Sequence, residues 1–531
     1  MTETTLLHEL IESSAERLGA RPAISSAEGS IDYKSLHRMV STFAAGLLSL
    51  GLAKSERVAV YLDKRLETVV AMFGAAAAGG AFVPLNPLLK PAQVAYILRD
   101  CNVRILVTSH ERLALLGPAL AAGSDLRHLV VIDTEAPEPP VAGLPVHPWR
   151  AFLDAVIVHR HRVIDTDMAA ILYTSGSTGQ PKGVVLSHRN MVAGAKSVAS
   201  YLGNASDDTL LAALPLSFDA GFSQLSTAFH VSARVVLINY LLPRDVTNAL
   251  ARERVTGLTA VPPLYIQLSQ IEWPKSIAEH LRYFANTGGR MPLETLKILR
   301  AKLPNSRPYL MYGLTEAFRS TYLPPEEVDR RPDSIGKAIP NAEIVVLRDD
   351  GTRCAPNEPG ELVHRGALVG MGYWNDSEKT AERYRPLPGR EPGLVLPEIA
   401  VFSGDTVRMD DEGFLYFIGR RDEMIKTSGY RVSPTEIEEV LYSTQLVGEA
   451  AAFGVPHPSL GQGIIAVVAL KDGAAIDESS LIAACRERLP AFMVPAKVDI
   501  RNGPLPRNPN GKIDRKTLSA DFSDLFATTK S

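Results

Sequence analysis

The chain has 531 residues, and at about 150 residues per domain it is long enough for three or four structural units rather than one compact core. Its 56 Lys and Arg against 59 Asp and Glu leave a formal charge of −3, so no global field attracts a polyanion, and a dedicated nucleic-acid binder is disfavoured. Apolar residues make up 46% and charged residues 22%, with 39 Gly and 37 Pro, which excludes collagenous, mucin-like and largely disordered chains.

Three isolated cysteines, Cys101, Cys354 and Cys485, form neither a disulfide framework nor a zinc-ligand spacing, and fit a reducing, cytoplasmic setting. The N-terminus has no basic leader. Leu6, Leu7, Leu10, Ile11 and Leu18 recur at helical spacing and predict an amphipathic helix that ends at Gly19. Between Tyr33 and Asp133, β-rich runs at Val58–Leu62, Arg104–Ser109 and Leu129–Asp133 alternate with a helix over Leu66–Ala78, the pattern of an α/β sheet. The uncharged stretch Thr68–Leu85 is mostly Ala and Gly and closes on Pro84, which reads as a buried helix running into a turn rather than a transmembrane segment.

Five prolines between Thr134 and Pro148 predict a surface loop, because each removes an N–H that a central strand needs. Periodic structure resumes from Met168 to about Leu303. From Pro340 short strands broken by turns, Glu343–Leu347 and Gly360–His364, predict a β-rich subdomain. A strand at Phe414–Ile418 then leads into the charged segment Gly419–Glu423. Ser433-Pro434-Thr435-Glu436 predicts a helix opened by a capping box, with proline at its first position. Strands Ala450–Val455 and Gly463–Leu470 and a helix over Leu481–Leu489 complete a compact α+β unit. The C-terminal Thr528-Thr529-Lys530-Ser531 is neither a prenylation box nor a peroxisomal address.

The most informative stretch for chemistry runs from Ile171 to Leu186. A β-run enters it and β-branched residues leave it. Between them Thr174, Ser175, Gly176, Ser177, Thr178, Gly179 and Lys182 supply turn-permissive backbone, hydroxyl donors and a mobile positive charge, the materials of a phosphate cradle. It is not a Walker A loop, because Lys182 precedes Gly183 instead of following a glycine and leading into Ser or Thr. Gly336-Lys337-Ala338 and Gly511-Lys512-Ile513 fail the same requirement. No G-x-G-x-x-G opens a helix, so a dinucleotide oxidoreductase has no footing.

Thr174–Gly183 resembles the phosphate-loop signature of the AMP-forming adenylation superfamily, which includes acyl-CoA synthetases, adenylation domains and luciferases. Further motifs follow in that family's order: Tyr312-Gly313-Leu314-Thr315-Glu316, Gly360-Glu361-Leu362 with Gly372-Tyr373-Trp374, Ser403-Gly404-Asp405, Gly419-Arg420-Arg421-Asp422, Lys426-Thr427-Ser428-Gly429 and Asn508–Arg515. The stretch from Tyr312 to Arg515 looks most like standalone bacterial acyl-CoA ligases of the exosortase-associated kind, found with exopolysaccharide and protein-sorting loci. The fold class then expected is an α/β multi-subdomain protein. A large N-terminal domain of two α/β subdomains plus a β-rich subdomain spans residues 1–419, and a small mobile α+β domain spans residues 420–531.

The resemblance implies activation of a carboxylic acid with ATP to acyl-AMP, release of pyrophosphate, and transfer to the thiol of CoA or of a separate carrier protein. Two anions must meet, so charge neutralisation is the main catalytic need. It implies Mg²⁺ at Glu316, phosphate contacts from Thr174 and Thr315, adenine against Tyr312 and Gly313 with Gly288 and Gly289 bordering the purine, and ribose at Asp405 and Arg420. Lys512 matches the catalytic lysine, Asp422 the hinge, and Gly429 the place where a pantetheine arm passes in a second domain orientation. Phe218, Asp219 and Gly221 occupy the acid-side motif. Asp219 stands where amino-acid-activating members bind an ammonium, so a small or proline-like amino acid loaded onto a carrier is the alternative to an acyl-CoA ligase. A helix-capping role for Asp219 is the structural alternative. A luciferase-like oxygenase would share the first half-reaction, and a non-catalytic relative would lack some of Thr174, Glu316, Asp405 and Lys512. The motif order identifies no particular acid and no oligomeric state.

Overall fold

The computed structural model describes residues 3–120, 125–135, 138–156, 161–174, 181–389, 393–420, 423–427, 430–508 and 511–526. Among these residues the strands form four sheets. In the first, the parallel strands Arg57–Tyr61, Ala81–Pro84 and Val103–Thr108 lie side by side, continuously apolar because helices cover both faces. The helix Leu66–Ala77 is one of those covers, buried at every position from Thr68 to Ala76, and the chain turns directly from it into Ala81–Pro84. Among the described residues no helix is long and apolar enough to cross a membrane.

The proline-rich stretch is a correction to the sequence reading. Glu138–Val141 and Leu144–Pro148 pair as an antiparallel hairpin at the end of the first sheet. Glu138–Val141 is the edge strand, which needs only half its N–H groups in the ladder and so tolerates Pro139 and Pro140; Leu144–Pro148 is paired on both sides and carries its prolines near its two ends.

The second sheet also departs from a simple division of the chain. Its parallel body comprises Thr209–Ala212, Arg234–Leu237, Gly257–Ala260, Tyr283–Asn286 and Arg307–Tyr312. One edge is completed by Thr321–Leu323 and Lys337–Ala338. The other is completed by the amino-terminal hairpin, strands Pro22–Ser26 and Gly29–Asp32, whose first strand joins Arg234–Leu237 in parallel. The first sheet in turn takes Gly372–Tyr373 from far downstream, against Val184 and Val185. The two α/β subdomains are therefore interleaved in sequence. The carboxyl ends of the second sheet's parallel strands deliver Ala213–Phe218, Val261, Thr287–Gly289 and Gly313–Thr315 to one rim, the end of an α/β sheet at which ligands bind.

The third sheet is the β-rich unit, with Ile399–Met409 at its centre and Leu415–Arg420 alongside in a register that sets Asp405 opposite Arg420. The fourth belongs to the carboxyl-terminal unit. Val447–His457 and Gly461–Leu470 run antiparallel, Lys497–Arg501 joins in parallel, and the helices Pro434–Ser443 and Glu478–Arg488 pack over them. Ile437 and Leu441 are buried as the periodicity predicts. The predicted capping box is not made: the Ser433 side chain takes no cap hydrogen bond and its buried Oγ has no partner. Glu436 instead lies in the field of Arg290 in the larger part of the chain. Arg290 also meets Glu439 at 3.5 Å, and Gln445 donates to Glu294 at 3.2 Å, so these contacts seat the helix Pro434–Ser443 on the rim of the second sheet.

One packing contact fixes the site's backbone. Phe318 has φ 54° and ψ −46°, a conformation that a side chain rarely adopts, and its ring is fully buried. A Cβ added at Gly194, on the helix His188–Leu202, would lie 2.4 Å from that ring. The missing side chain at Gly194 is thus the slot that receives Phe318. Gly194→Ala is expected to destabilise the protein by about 1–3 kcal/mol through overpacking, read as a lower urea midpoint, with Phe318→Leu in the same background recovering part of the loss. An unchanged midpoint would show that the ring has room to move.

Candidate functional site

The predicted phosphate cradle begins and ends on paired strands. Thr174 closes Met168–Thr174, Lys182 opens Lys182–Ser187, and the two residues are direct antiparallel partners. Ser175, Gly176, Ser177, Thr178 and Gly179 lie outside the described residues, as do Asp422 and Gly429. Lys182 Nζ stands 5.6 Å from the centre of the Tyr373 ring, and the Tyr373 hydroxyl donates to Glu316 Oε1 at 2.5 Å. Burial and the neighbouring Glu316 carboxylate raise the Tyr373 pKa, keeping the phenol in its donor form. Glu316 lies in the single 3₁₀ turn Thr315–Ala317, with Thr315 buried beside it. Sequence reasoning placed Tyr373 in a motif without giving it a task; the structure gives it the orientation of the Glu316 carboxylate.

A second carboxylate is held where the β-rich unit meets the rim. The Tyr312 hydroxyl donates to Asp405 Oδ2 at 2.5 Å, and Arg420 Nε approaches Asp405 Oδ1 at 3.4 Å. That Oδ1 is buried and accepts no hydrogen bond, so it has an acceptor position open to a vicinal diol such as ribose. Gly404, at φ +71°, makes the turn that aims Asp405, and a Cβ there would lie 2.1 Å from Arg383. Burial raises the Asp405 pKa, opposed first by Arg420 and then by Tyr312.

Lys512 reaches this rim from the carboxyl-terminal unit. It sits on a turn in which Asn508 N donates to the Lys512 carbonyl at 2.8 Å and Gly511 takes φ +79°. A Cβ at Gly288 would lie 3.8 Å from the Phe218 ring and 4.0 Å from Lys512 Cε, so Phe218, Gly288 and Lys512 meet. Gly288 itself has φ +75°, and Gly289 follows it against Pro262. Lys512 is exposed to solvent and lies within the field of several neighbouring charges. Desolvation first, then Arg420, lower its pKa, while Asp219, Glu423 and Asp405 oppose them. One ammonium therefore lies in the electrostatic reach of Asp405 and of Asp219.

Asp219 is neither free nor a helix cap. The cap position of the helix Asp219–Val231 is Phe218, and Asp219 is its first residue. Its Oδ2 pairs with Arg319 at 3.1 Å, the two side chains being 5% and 3% exposed. Desolvation raises its pKa, with Arg319 the largest opposing influence. Arg319 was not singled out from the sequence. The available signal was a lone arginine after two apolar residues, Ala317 and Phe318, directly behind the acidic end of a site motif. Gly221 is required by packing: a Cβ there would lie 1.9 Å from the Pro215 carbonyl, and only the bare backbone lets the helix start so close to the preceding strand's end. At Gly313 a Cβ would lie 3.4 Å from Arg319 Cα, so the pair is packed from that side as well.

Metal-binding capacity at this rim is modest. Among the described residues no group of three or more His, Cys, Asp or Glu gathers in one place. The single carboxylate of Glu316 suits Mg²⁺ that arrives on a polyphosphate, since this ion keeps water and phosphate oxygens as most of its ligands.

Comparison with known proteins agrees with this arrangement. The AMP-binding enzyme family matches residues 11–374 and the AMP-binding enzyme C-terminal domain matches residues 436–512. The chain is 30% identical over 546 residues to a long-chain-fatty-acid–CoA ligase of Salmonella typhimurium, covering 96% of this chain and 94% of the relative. It is 33% identical over 518 residues to an L-proline–[L-prolyl-carrier protein] ligase of Streptomyces coelicolor, covering 94% of each. The crystal structure of ATP-bound MatB from Rhodopseudomonas palustris superposes with a TM-score of 0.85 at 26% identity, over 98% of this chain and 99% of that one. With both domains matched in order along one chain, this protein belongs to the AMP-binding enzyme family.

Proposed function

We propose that the protein is an AMP-forming acid–thiol ligase that joins a carboxylic acid to the α-phosphate of ATP, releases pyrophosphate, and passes the acyl group to the thiol of CoA. The observation that carries this reading is the meeting of Lys512 with Gly288 and Phe218 at the carboxyl ends of the second sheet, within the electrostatic reach of Asp405 and Asp219. A reaction between two anions needs a cation at their point of contact, placed in advance so that no reorganisation is required when charge develops.

In this reading Thr174, Thr315, Lys182 and the loop residues Ser175, Gly176, Ser177, Thr178 and Gly179 hold the phosphates. Tyr312, Gly313, Gly288 and Gly289 line the adenine, and Asp405 with Arg420 takes the ribose, a task supported by the open acceptor at Asp405 Oδ1. Glu316 would hold Mg²⁺, which would supply neutralisation of the phosphate charge. The Tyr373 hydrogen bond keeps that carboxylate in one rotamer. Lys512 bridges the incoming carboxylate and the α-phosphate. The parts that move are residues 1–419, holding ATP and acid, and residues 420–531, carrying Lys512, with Asp422 as hinge and Gly429 beside the thiol in the second orientation. The three cysteines are free, which supports a cytoplasmic setting.

A second reading, supported by the likeness to an L-proline–[L-prolyl-carrier protein] ligase and not by Asp219, which Arg319 occupies, is that the acid is a small amino acid and the acceptor a separate carrier protein. Supplying CoA or a phosphopantetheinylated carrier to the same enzyme, and measuring which becomes acylated, decides between the acceptors.

Lys512→Ala is expected to lower ATP–pyrophosphate exchange by at least about 100-fold, the scale of losing one preorganised charge-stabilising group, while transfer from supplied acyl-adenylate to thiol stays within about threefold of wild type. Equal loss of both half-reactions would refute this division. Tyr373→Phe is expected to raise the Mg²⁺ concentration needed for half-maximal exchange by about 3- to 10-fold, the effect of one lost hydrogen bond of about 1 kcal/mol, with the melting temperature unchanged. An unaltered Mg²⁺ dependence would remove Tyr373 from this role.

A further inference from the structure

Behind the Asp219–Arg319 pair lies a cavity with about 20 Å³ open to a water-sized group, lined among others by Ser223, Gln224, Thr227, Thr259, Met311 and Arg319. Ala220, Ser223, Gln224 and Thr227 follow one another at spacings of three, four and seven along the helix Asp219–Val231, so a single helical face forms this wall. Met311 directly precedes Tyr312, and Arg319 bonds Asp219. Ala220 and Arg319 in its lining set the cavity beside the acid-side motif.

Its lining is unusually polar for so deep a position. Gln224 and Thr227 are 6% and 1% exposed, and Gln224 Oε1 and Thr227 Oγ1 have no hydrogen-bond partner. The orientation of Gln224 is fixed, because its amide nitrogen donates to the Leu211 carbonyl at 2.7 Å and to the Thr259 carbonyl at 3.3 Å. With both N–H groups spent on carbonyls, Oε1 has to face elsewhere and needs a donor. A buried polar group without a partner is costly, and native structures carry few of them unless a ligand or water completes the set. Val198, Leu202 and Tyr283 wall its far side, and the Tyr283 hydroxyl accepts from the Asn204 amide at 3.2 Å. An alkyl chain of several carbons has no space there. A second carboxylate on the acid would meet a guanidinium already neutralised by Asp219.

We infer that the acid site is built for a short carboxylic acid that carries a hydroxyl or amine N–H donor at its far end, satisfied by Gln224 and Thr227, and that it excludes long-chain fatty acids. This inference rests on the ligase reading of the same site. It sets the chain apart from the fatty-acid ligase it resembles, since the pocket rejects an alkyl chain both by length and by leaving acceptors unpaired. A site built around hydrogen bonds rejects analogues that lack them far more strongly, up to about 10⁴-fold, than an apolar pocket rejects one extra methylene, at about 10- to 200-fold.

The test is ATP–pyrophosphate exchange by the full-length enzyme with 3-hydroxypropionate, β-alanine and 4-hydroxybutyrate, against butyrate and pentanoate as shape-matched acids without the donor, and against laurate and palmitate. The best donor-bearing acid is expected to exceed its apolar match by at least about 10-fold and the long-chain acids by at least about 100-fold. Gln224→Leu combined with Thr227→Val is expected to bring the ratio of donor-bearing to apolar acid close to one, a readout that a general folding defect leaves unmoved. Met311→Ala enlarges the cavity from the other wall and is expected to admit longer apolar acids. Long-chain acids working as well as short ones, or a ratio unchanged in the double variant because the cavity holds a structural water only, would overturn the inference while the ligase reading stands. If no acid supports exchange, the ligase reading fails, and the order in which the same acids raise the melting temperature of the ATP-loaded protein then decides the pocket inference: donor-bearing acids first supports it, and any other order ends it.

Discussion

A carboxylate and a guanidinium removed from water together, Asp219 and Arg319, tie the start of one helix to the turn that carries Glu316. Neither charge is tolerable alone at that depth, so each segment is stable in its place only while the other is present. The arrangement reaches outward from there. Arg319 is aimed by the left-handed backbone of Phe318, Phe318 is seated by the absent side chain of Gly194, and Gly221 lets the helix bearing Asp219 begin against Pro215. Three positions with little chemistry of their own thus set the relative placement of the acid side and the phosphate side of the rim.

The charges of the site come from segments far apart in the chain, and the electrostatic design follows from that. Glu316 is matched to a phenol, Asp219 to a guanidinium, and Asp405 to one of each. Lys512 is the exception. Its ammonium answers to several carboxylates at once and is crowded by Arg420, so it is the cation most easily recruited by an incoming anion. In the proposed two-orientation cycle, delivery of Lys512 on a separate unit withdraws this charge between two steps that need different groups at the same place.

Much of this was legible in the sequence because the informative residues sit in runs whose composition has few structural explanations. The stretch Thr174–Lys182, the Tyr312–Glu316 element and the Asp405 and Arg420 pairing each join a glycine or hydroxyl-rich turn to a charged residue, and the structure puts the described members of these runs on one rim. What was not legible depended on contacts distant in sequence. The prolines of Glu138–Val141 look hostile to a strand until one knows that it lies at an edge. Ser433 and Glu436 have the spacing of a capping box, but Arg290 draws the glutamate into its field. Arg319 looks like any surface arginine until Asp219 comes to face it, and Tyr373 like a core tyrosine until Glu316 is placed beside its hydroxyl.

The interleaving of the two large sheets has a consequence for how the chain is made. The hairpin Pro22–Asp32 leaves the ribosome well before its parallel partner Arg234–Leu237. At about 5–20 residues per second, synthesis of the roughly two hundred residues between them takes about ten to forty seconds. Throughout that interval the first sheet can assemble from its own strands, while the hairpin exposes an unpaired edge, the kind of surface that templates wrong pairings. Holdase chaperones that bind nascent chains therefore have a defined window and a defined target here, and a ribosome stalled between residues 32 and 234 would release a fragment with that edge permanently open.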